Sequence, residues 1–300
     1  MSKVKYQFKT ENFSPIVLEG WEIEDPLSIY NQIQEMQGRY AQIQELSAVK
    51  AMMKDYSQAQ IHALLLFCDL SPTNELLSSE AHRYLAQRIR NQPQSAVDSL
   101  SSESLDQMTI GRPLDELLRA FEAYQYLCVK KVDSPLNDDV VLETHQILTG
   151  KKPGTYRTIT VQSEMHIFPP GQYVPAAMAT LLQKVNLAMD GLLKQDPYSL
   201  AATLCYDFLT IHPFDDGNGR MSRLLVSYVL LKSSLPFPCS LGYGYYQSPR
   251  YNYTRCIKKA RYTDGQPREL SMLILACVRA AWSQFIESCR LCVETSQASD

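Results

Sequence analysis

The chain has 300 residues, of which 45% are hydrophobic and 20% charged, and its formal net charge is −3. These values are typical of a globular protein with a sizeable core, and without a basic excess neither nucleic acid nor an anionic membrane is expected as the main partner. The first twenty residues lack the apolar run of a secretory signal, and the longest apolar run, LLVSYVLL, is too short to span a bilayer. We therefore expect a cytoplasmic protein without a membrane span.

The eight cysteines are scattered among apolar residues, as buried thiols are in a reducing compartment. Cys289 and Cys292 have CxxC spacing, but no second pair or nearby histidine completes a zinc site. The sequence therefore predicts free thiols here and no zinc centre.

Apolar residues recur at helical spacing along most of the chain, which predicts a mainly α-helical fold. The predicted helices are Pro26–Asp55, Ser57–Leu70, Ser78–Asn91, Leu114–Val129, Asn137–Leu148, Pro175–Leu193, Pro197–Thr210, Arg220–Lys232, Arg250–Tyr262 and Leu270–Thr295. The serine-rich stretch Asn91–Gln107 has the composition of a linker. It divides the chain into an N-terminal helical region at 1–110, with a candidate regulatory helix, a core at 111–296 and a tail at 297–300.

One segment departs from the helical pattern. Gly154–Pro175 reads GTYRTITVQSEMHIFPPGQYVP, with alternating β-branched and aromatic residues around a polar QSE centre. This pattern predicts a small β-hairpin.

The most unusual stretch is LTIHPFDDGNGRMSRLLVSYVLL, where a helical pattern stops and then resumes. Pro213 disfavours helix at His212, so the preceding helix should end near Thr210, with His212 at the mouth of a turn. Phe214 can anchor the loop in the core. Gly217 and Gly219 permit backbone angles closed to other residues, and successive N–H groups of such a loop can converge on an anion.

The next helix begins directly after this loop, so its free N–H groups and positive dipole end face the same space. Arg220 and Arg223, three residues apart, lie on one face of that helix and can both reach a phosphate. Asp216 adds an oxygen ligand that suits Mg²⁺. His212 is a base with an ordinary pKa of roughly 6.5. These groups together suit transfer of a phosphate-containing group from a nucleotide to a hydroxyl.

At these residues the sequence resembles the Fic family, whose signature is His-x-Phe-x-(Asp/Glu)-Gly-Asn-Gly-Arg-x-x-Arg. HPFDDGNGRMSR, from His212 to Arg223, fills every defined position. The resemblance continues in HQILTGKKPGTYRTITVQSEMHIFPPGQYVPAAM and in YNYTRCIKKA. It implies a helical Fic-type catalytic core with a β-hairpin flap.

The resemblance implies AMPylation, in which AMP from ATP is placed on a Ser, Thr or Tyr hydroxyl of a target protein and pyrophosphate is released. It assigns the general base to His212, the Mg²⁺ ligand to Asp216 and the loop anchor to Phe214. The remaining implied positions are the anion hole and ATP site (Gly217, Asn218, Gly219, Arg220, Arg223, Tyr253, Ile257, Arg261) and the target-docking flap (Thr158, Ile159, Thr160, Val161, His166).

Regulation is where the sequence departs from the family pattern. Many members carry an inhibitory helix with (Ser/Thr)-x-x-x-Glu-(Gly/Asn), whose glutamate pairs with the second motif arginine. Here Ser71 and Glu75 have that spacing, but Leu76 stands where Gly or Asn is expected. Glu287, in SQFIES, is a second candidate inhibitory glutamate.

Two alternatives to AMPylation stay open at this point. The same fold and base can transfer another group, such as a different nucleoside monophosphate, phosphocholine or phosphate. A protein that holds a nucleotide or a partner without turnover is the other alternative, although a pure binder has no need of the histidine.

Overall fold

The structure is a computed structural model that describes residues 6–16, 24–68, 85–87, 89–90, 112–151, 154–163, 166–233, 235–241 and 249–297. Most of these residues are helical, which confirms the predicted fold class. The helices are α1 (Pro26–Ile43), α2 (Ser47–Cys68), α3 (Arg112–Tyr124), α4 (Asp138–Thr149), α5 (Val174–Met189), α6 (Pro197–Ile211), α7 (Asn218–Lys232), α8 (Pro249–Tyr262) and α9 (Arg268–Gln297). A π-helical turn, Gln125–Lys130, continues α3.

The first predicted helix is wrong at its C-terminal end. It was predicted to run to Asp55, but α1 ends at Ile43 and α2 begins at Ser47. The turn between them lets both helices pack on α9, a tertiary constraint that apolar periodicity does not reveal. The start of α1 was predicted correctly, and there the Asp25 carboxylate accepts a hydrogen bond from the Ser28 N–H at 2.9 Å.

The long helix α9 is the centre of the core and contacts α1, α2, α6 and α8. Trp282 and Phe285 are fully buried on it and pack around Phe237. Among the described residues, Arg268–Glu294 is the one segment long and apolar enough to cross a membrane by length and composition. Its most apolar window is 72% buried inside the protein, as expected of a core helix.

The hydrophobic cluster joins residues of α1 and α2 to those of α6, α7 and α9. The N-terminal region therefore shares a core with the rest of the chain. The predicted linker lies outside the described residues, and α9 extends to Gln297, into the predicted tail. The division into three segments stays a prediction.

Helices α6 and α7 pack extensively on each other and hold the predicted loop between them. Asp196 begins α6, because its buried carboxylate accepts hydrogen bonds from the Tyr198 and Ser199 N–H groups at 3.0 and 2.9 Å. Pro197 occupies the first turn, where its missing N–H costs nothing.

The predicted hairpin is present as a short ladder. Strand β1 (Gln162–Ser163) pairs antiparallel with β2 (His166–Ile167), and the Phe168 N–H donates to the Val161 carbonyl at 3.1 Å. The neighbouring residues 154–161 are outside the strands, so the paired part is much shorter than the alternating pattern indicated. Its role as a flap stays a prediction.

Candidate active site

Helix α6 ends at Ile211, one residue later than predicted, and His212 follows it directly. Its N–H donates to the Phe208 carbonyl at 2.8 Å, and its φ of 53° lies in the left-handed region. Such a backbone conformation is strained for a residue with a β-carbon and is often found at functional sites. The following proline and the packing of Phe214 hold the chain in this turn.

The His212 ring lies under the hairpin. The Phe168 ring stacks on it with centroids 3.9 Å apart and planes 19° apart. Phe168 is in turn contacted edge-on by His166, and the guanidinium carbon of Arg261 lies 5.6 Å from its centroid. The structure thus brings His166 and Arg261, predicted for the flap and for the adenosine site, to one aromatic ring beside His212.

Burial lowers the pKa of His212 to about 4. The Leu209 backbone acts in the opposite direction, while the positive charges of Arg157 and Arg261 lower the pKa further. The imidazole is therefore neutral at neutral pH, as a general base must be before it accepts a proton.

Phe214 and Asn218 shape the loop from inside. Phe214 is buried and stacks on His145, with ring centroids 3.6 Å apart. The Asn218 side chain accepts from the Phe214 N–H at 3.0 Å and donates to the Phe214 carbonyl at 2.7 Å. Asn218 therefore braces the loop with its side chain. Its backbone N–H, at the first helical position, is the group that can bind an anion.

Of the two loop glycines, only Gly217 has the unusual backbone angle that was predicted for both, and a β-carbon at Gly219 would make ordinary van der Waals contact. Gly217 has a φ of 82°, and a β-carbon there would lie 3.0 Å from Thr149 Cγ2 and 3.3 Å from His145 Nε2. A β-carbon at Gly219 would lie 3.6 Å from Arg223 Nη1. The Arg223 guanidinium thus lies close to the start of α7, where the first N–H groups have no partner within the helix.

Arg220 is held between two carboxylates. Its Nη1 lies 3.3 Å from Glu116 Oε2 and its Nη2 lies 3.4 Å from Asp216 Oδ2. Its side chain is only 17% exposed, so the charge is directed along the loop and not into bulk solvent.

Tyr253 and Ile257, predicted as adenosine contacts, are buried. The Tyr253 hydroxyl is 3.1 Å from Cys205 Sγ and 3.0 Å from Ser222 Oγ, and the Arg223 guanidinium carbon is 5.7 Å from the ring centroid. Burial raises the pKa of Tyr253 well above its ordinary value. In this structure Tyr253 supports Arg223, and an adenosine contact stays a prediction.

Asp216 is the candidate metal ligand. Its side chain is 59% exposed, with Oδ2 3.8 Å from Lys151 Nζ and Oδ1 accepting from the Gly217 N–H at 2.6 Å. The described part of the chain contains no group of three or more His, Cys, Asp or Glu that could hold a metal. One carboxylate beside a phosphate site suits Mg²⁺ shared with a substrate, because Mg²⁺ is commonly bound by one or two carboxylates together with substrate phosphates.

Two residues of this site were not predicted. His145 Nε2 is 2.9 Å from the Asp216 backbone carbonyl, and burial lowers the pKa of this imidazole. The Arg157 guanidinium donates to four backbone carbonyls around His212. Both residues lie in the segment HQILTGKKPGTYR, but nothing in a single sequence shows which loop that segment will pack against.

Of the two candidate inhibitory glutamates, the structure describes only Glu287. Glu75 lies outside the described residues. Glu287 is exposed on α9, where Arg290 Nη2 is 2.6 Å from its Oε1 and lowers the pKa of the carboxyl. An inhibitory role for either glutamate stays a prediction.

The fold and this site define a class of protein: a helical domain with a histidine turn followed by a glycine loop and a basic helix start. The profile of the Fic/DOC family matches residues 135–230. A Fido domain-containing protein of Dictyostelium discoideum is 33% identical over 130 residues, which are 43% of this chain and 87% of that protein. The chain belongs to the Fic/DOC family.

Further relatives agree with this assignment. A protein adenylyltransferase Fic of Nematostella vectensis is 31% identical over 165 residues, which are 51% of this chain but only 36% of that protein. The crystal structure of a Fic domain-containing signalling protein of Bacteroides thetaiotaomicron has a TM-score of 0.66 and 18% identity, covering 86% of this chain and 98% of that one. At this identity the structural likeness concerns the fold.

Proposed function

We propose that this protein transfers AMP from ATP to a Ser, Thr or Tyr hydroxyl of a target protein, with release of pyrophosphate. The observation that carries the proposal is the neutral, half-buried His212 in its strained turn, followed directly by a helix start with two arginines that could bind an anion. Relatives named protein adenylyltransferase share 31% and 33% identity with this chain over about half its length.

In the proposed reaction His212 takes the proton of the attacking hydroxyl. That oxygen forms a bond to the α-phosphorus, and the bond from this phosphorus to the oxygen that bridges the α- and β-phosphates breaks. The electron pair leaves with pyrophosphate, and the proton stays on the imidazole until solvent accepts it. The low pKa of His212 suits a base that is neutral, and so ready to accept a proton, at neutral pH.

The groups that hold the phosphates are the first N–H groups of α7 and the two motif arginines. Arg223 lies close to Gly219 and Arg220 lies beside Asp216, so both guanidinium groups are near the loop that precedes α7. Asp216 would hold a magnesium ion, which when bound supplies positive charge to the phosphates. Lys151, 3.8 Å from Asp216, adds a further cation at this edge.

The target is proposed to dock on the hairpin. Thr158, Ile159 and Thr160 are exposed and Val161 is half-buried, so this segment lies at the surface beside the short ladder, with its Ile159 and Val161 carbonyls bonded to Arg157 and to the Phe168 N–H. The side chains of Ile159 and Ile167 are 62% and 68% exposed. An extended segment of a target could pair with this backbone by strand addition and place a hydroxyl near His212.

The cellular compartment of the protein is also a proposal. Seven cysteines of the described residues are free thiols, which supports a reducing compartment such as the cytosol, whether the protein is made there or delivered into it.

The decisive experiment is transfer of label from ATP carrying ³²P at the α-phosphate, with magnesium, to the protein itself and to lysate proteins. We expect labelling by the wild type and by the control His62→Ala, a histidine on α2, and none by His212→Ala. Label that persists in His212→Ala would remove this histidine from the mechanism.

The donor is tested in the same assay. Label from other nucleoside triphosphates, from a phosphocholine donor or from ATP labelled at the γ-phosphate would replace AMP by a different transferred group. Intact mass of the product gives the group directly. ATP binding measured by calorimetry, with no product from any donor, would favour a binding protein without turnover.

A further inference from the structure

Arg157 is a buried cation that the proposed reaction does not use. Its side chain is 4% exposed, and its guanidinium is surrounded by backbone carbonyls. Burial lowers its pKa, which Asp215 opposes, but an arginine keeps its charge. A buried charge is retained only where its hydrogen bonds are satisfied, so these contacts reveal what the residue holds together.

Two of the contacts are at the catalytic turn. Nε donates to the His212 carbonyl at 2.7 Å, and Nη2 donates to the Ile211 carbonyl at 3.1 Å. These carbonyls are at the C-terminal end of α6, where they have no partner within the helix and where a positive charge is favoured by the helix dipole. The Arg157 N–H also donates to the Pro213 carbonyl at 2.9 Å. Arg157 thus fixes both sides of the His212 turn.

The other two contacts are at the two ends of the hairpin segment. Nη1 donates to the Ile159 carbonyl at 2.5 Å, and Nη2 donates to the Pro169 carbonyl at 2.7 Å. The same junction is closely packed, since a β-carbon on Gly171 would lie 2.2 Å from the Thr158 carbonyl carbon. Between these ends the chain carries Phe168 onto the His212 ring.

We propose that Arg157 is a positioning residue that fixes His212 and the target-docking hairpin to each other. The hydroxyl of a target bound to the hairpin then lies where His212 can accept its proton. Only a guanidinium can do this, because its five N–H donors lie in one rigid plane and four of them are directed here at carbonyls of two different segments. A lysine would keep the charge but has one nitrogen at the end of a flexible stem. The proposal rests on the proposed function, in which His212 is the base and the hairpin receives the target.

Loss of the Arg157 guanidinium should affect the rate of transfer and the binding of ATP differently, whereas a general loss of structure would weaken both. The phosphate-binding loop is braced by Asn218, His145 and Phe214, none of which bonds to the Arg157 guanidinium in the hydrogen bonds described above. Loss of the guanidinium should therefore leave ATP binding intact while the base and the hairpin lose their alignment. A misplacement on the order of 1 Å costs roughly a hundredfold in rate.

The test is Arg157→Lys, with Arg268→Lys as the matched control. Arg268 also donates to a backbone carbonyl, that of Glu11, but lies in the N-terminal turn of α9. For Arg157→Lys we expect kcat for target labelling to fall about a hundredfold, while the Kd for ATP measured by calorimetry stays within about threefold. Hydrogen exchange of the Phe168 amide should become at least about tenfold faster, since its bond to Val161 lies between the two fixed ends. The control should change none of the three.

Several outcomes would overturn the proposal. A kcat that stays within about threefold of wild type would show that the guanidinium does not align the reaction. An equal loss of kcat, ATP affinity and thermal stability would show that Arg157 only supports the fold. A wild type that labels no protein would refute the proposed function, and the exchange rate of the Phe168 amide would still decide whether Arg157 fastens the hairpin.

Discussion

Removing the ring that covers His212 should restore much of the ordinary basicity of that histidine. Phe168 is itself buried and stacks on the imidazole at 3.9 Å, and burial is the largest cause that lowers the His212 pKa from 6.5 to about 4. At about 1.4 kcal/mol per pKa unit, this difference corresponds to about 3 kcal/mol between the two protonation states before solvent screening of the half-buried ring is discounted, and Phe168 supplies part of the burial behind it. In Phe168→Ala, water reaches the ring and the pKa should move from about 4 toward 6.5.

The pKa is measured by NMR titration of the His212 ring, with His212→Ala to assign the signal. The matched control is Ile167→Ala, because Ile167 is the neighbour of Phe168 in the chain but is 68% exposed. At about pH 5.5 a ring with a pKa of 6.5 is only about a tenth neutral. Labelling by Phe168→Ala should then fall sharply between about pH 7.5 and 5.5, while wild type and control stay nearly constant.

The sign of the effect on stability follows from the same pKa. The folded protein holds His212 neutral below the pKa of the unfolded chain, so protonation of the unfolded state destabilises the wild type as pH falls from 6.5 to about 4. This loss should be smaller in Phe168→Ala. A His212 titration unchanged by the substitution would refute the view that Phe168 supplies the burial.

Three further changes test the loop and the helix that leads to it. Gly217→Ala places a β-carbon on a backbone with a φ of 82° and within 3.0 Å of Thr149, so the free energy of unfolding in urea should fall by about 1–2 kcal/mol or more. Calorimetry should show weaker binding of ATP, and an affinity equal to that of the wild type would contradict the proposed phosphate site. Glu116→Gln removes a negative charge from Arg220 and should tighten ATP binding about two- to fivefold, and weaker binding would show that the carboxylate positions the arginine instead of competing for it. Asp196→Ala removes the cap of α6 and should cost about 1–2 kcal/mol in urea unfolding, with no change in the pH dependence of labelling.

The turn that carries the site motif could be predicted from the local sequence alone. The proline after His212, the two glycines and the arginine spacing are properties of twelve consecutive residues, and the structure ends α6 one residue later and begins α7 two residues earlier than predicted, with the expected turn at His212 between them. Local rules suffice here because proline and glycine restrict or widen backbone angles within their own residues and immediate neighbours.

The helix boundary at Ile43 and the length of the hairpin were not determined in this way. Helical periodicity continues through residues 44–46, and the turn there depends on how α1 and α2 pack on α9. The alternating pattern of 154–175 indicated a longer ladder, but carbonyls at its two ends are bound by Arg157 and do not pair with a neighbouring strand.

The sequence alone determined the order of chemical groups along the chain: a base, a carboxylate, a glycine loop and two cations within the twelve residues that link α6 to α7 and begin α7. Tertiary structure decided the environment of those groups, because Phe168, His145 and Arg157 come from segments 40 to 70 residues away and contact the loop only after the chain folds. Burial and electrostatic effects depend on distances in space and not along the chain. The lowered pKa of His212 and its link to the hairpin are therefore properties of the folded protein.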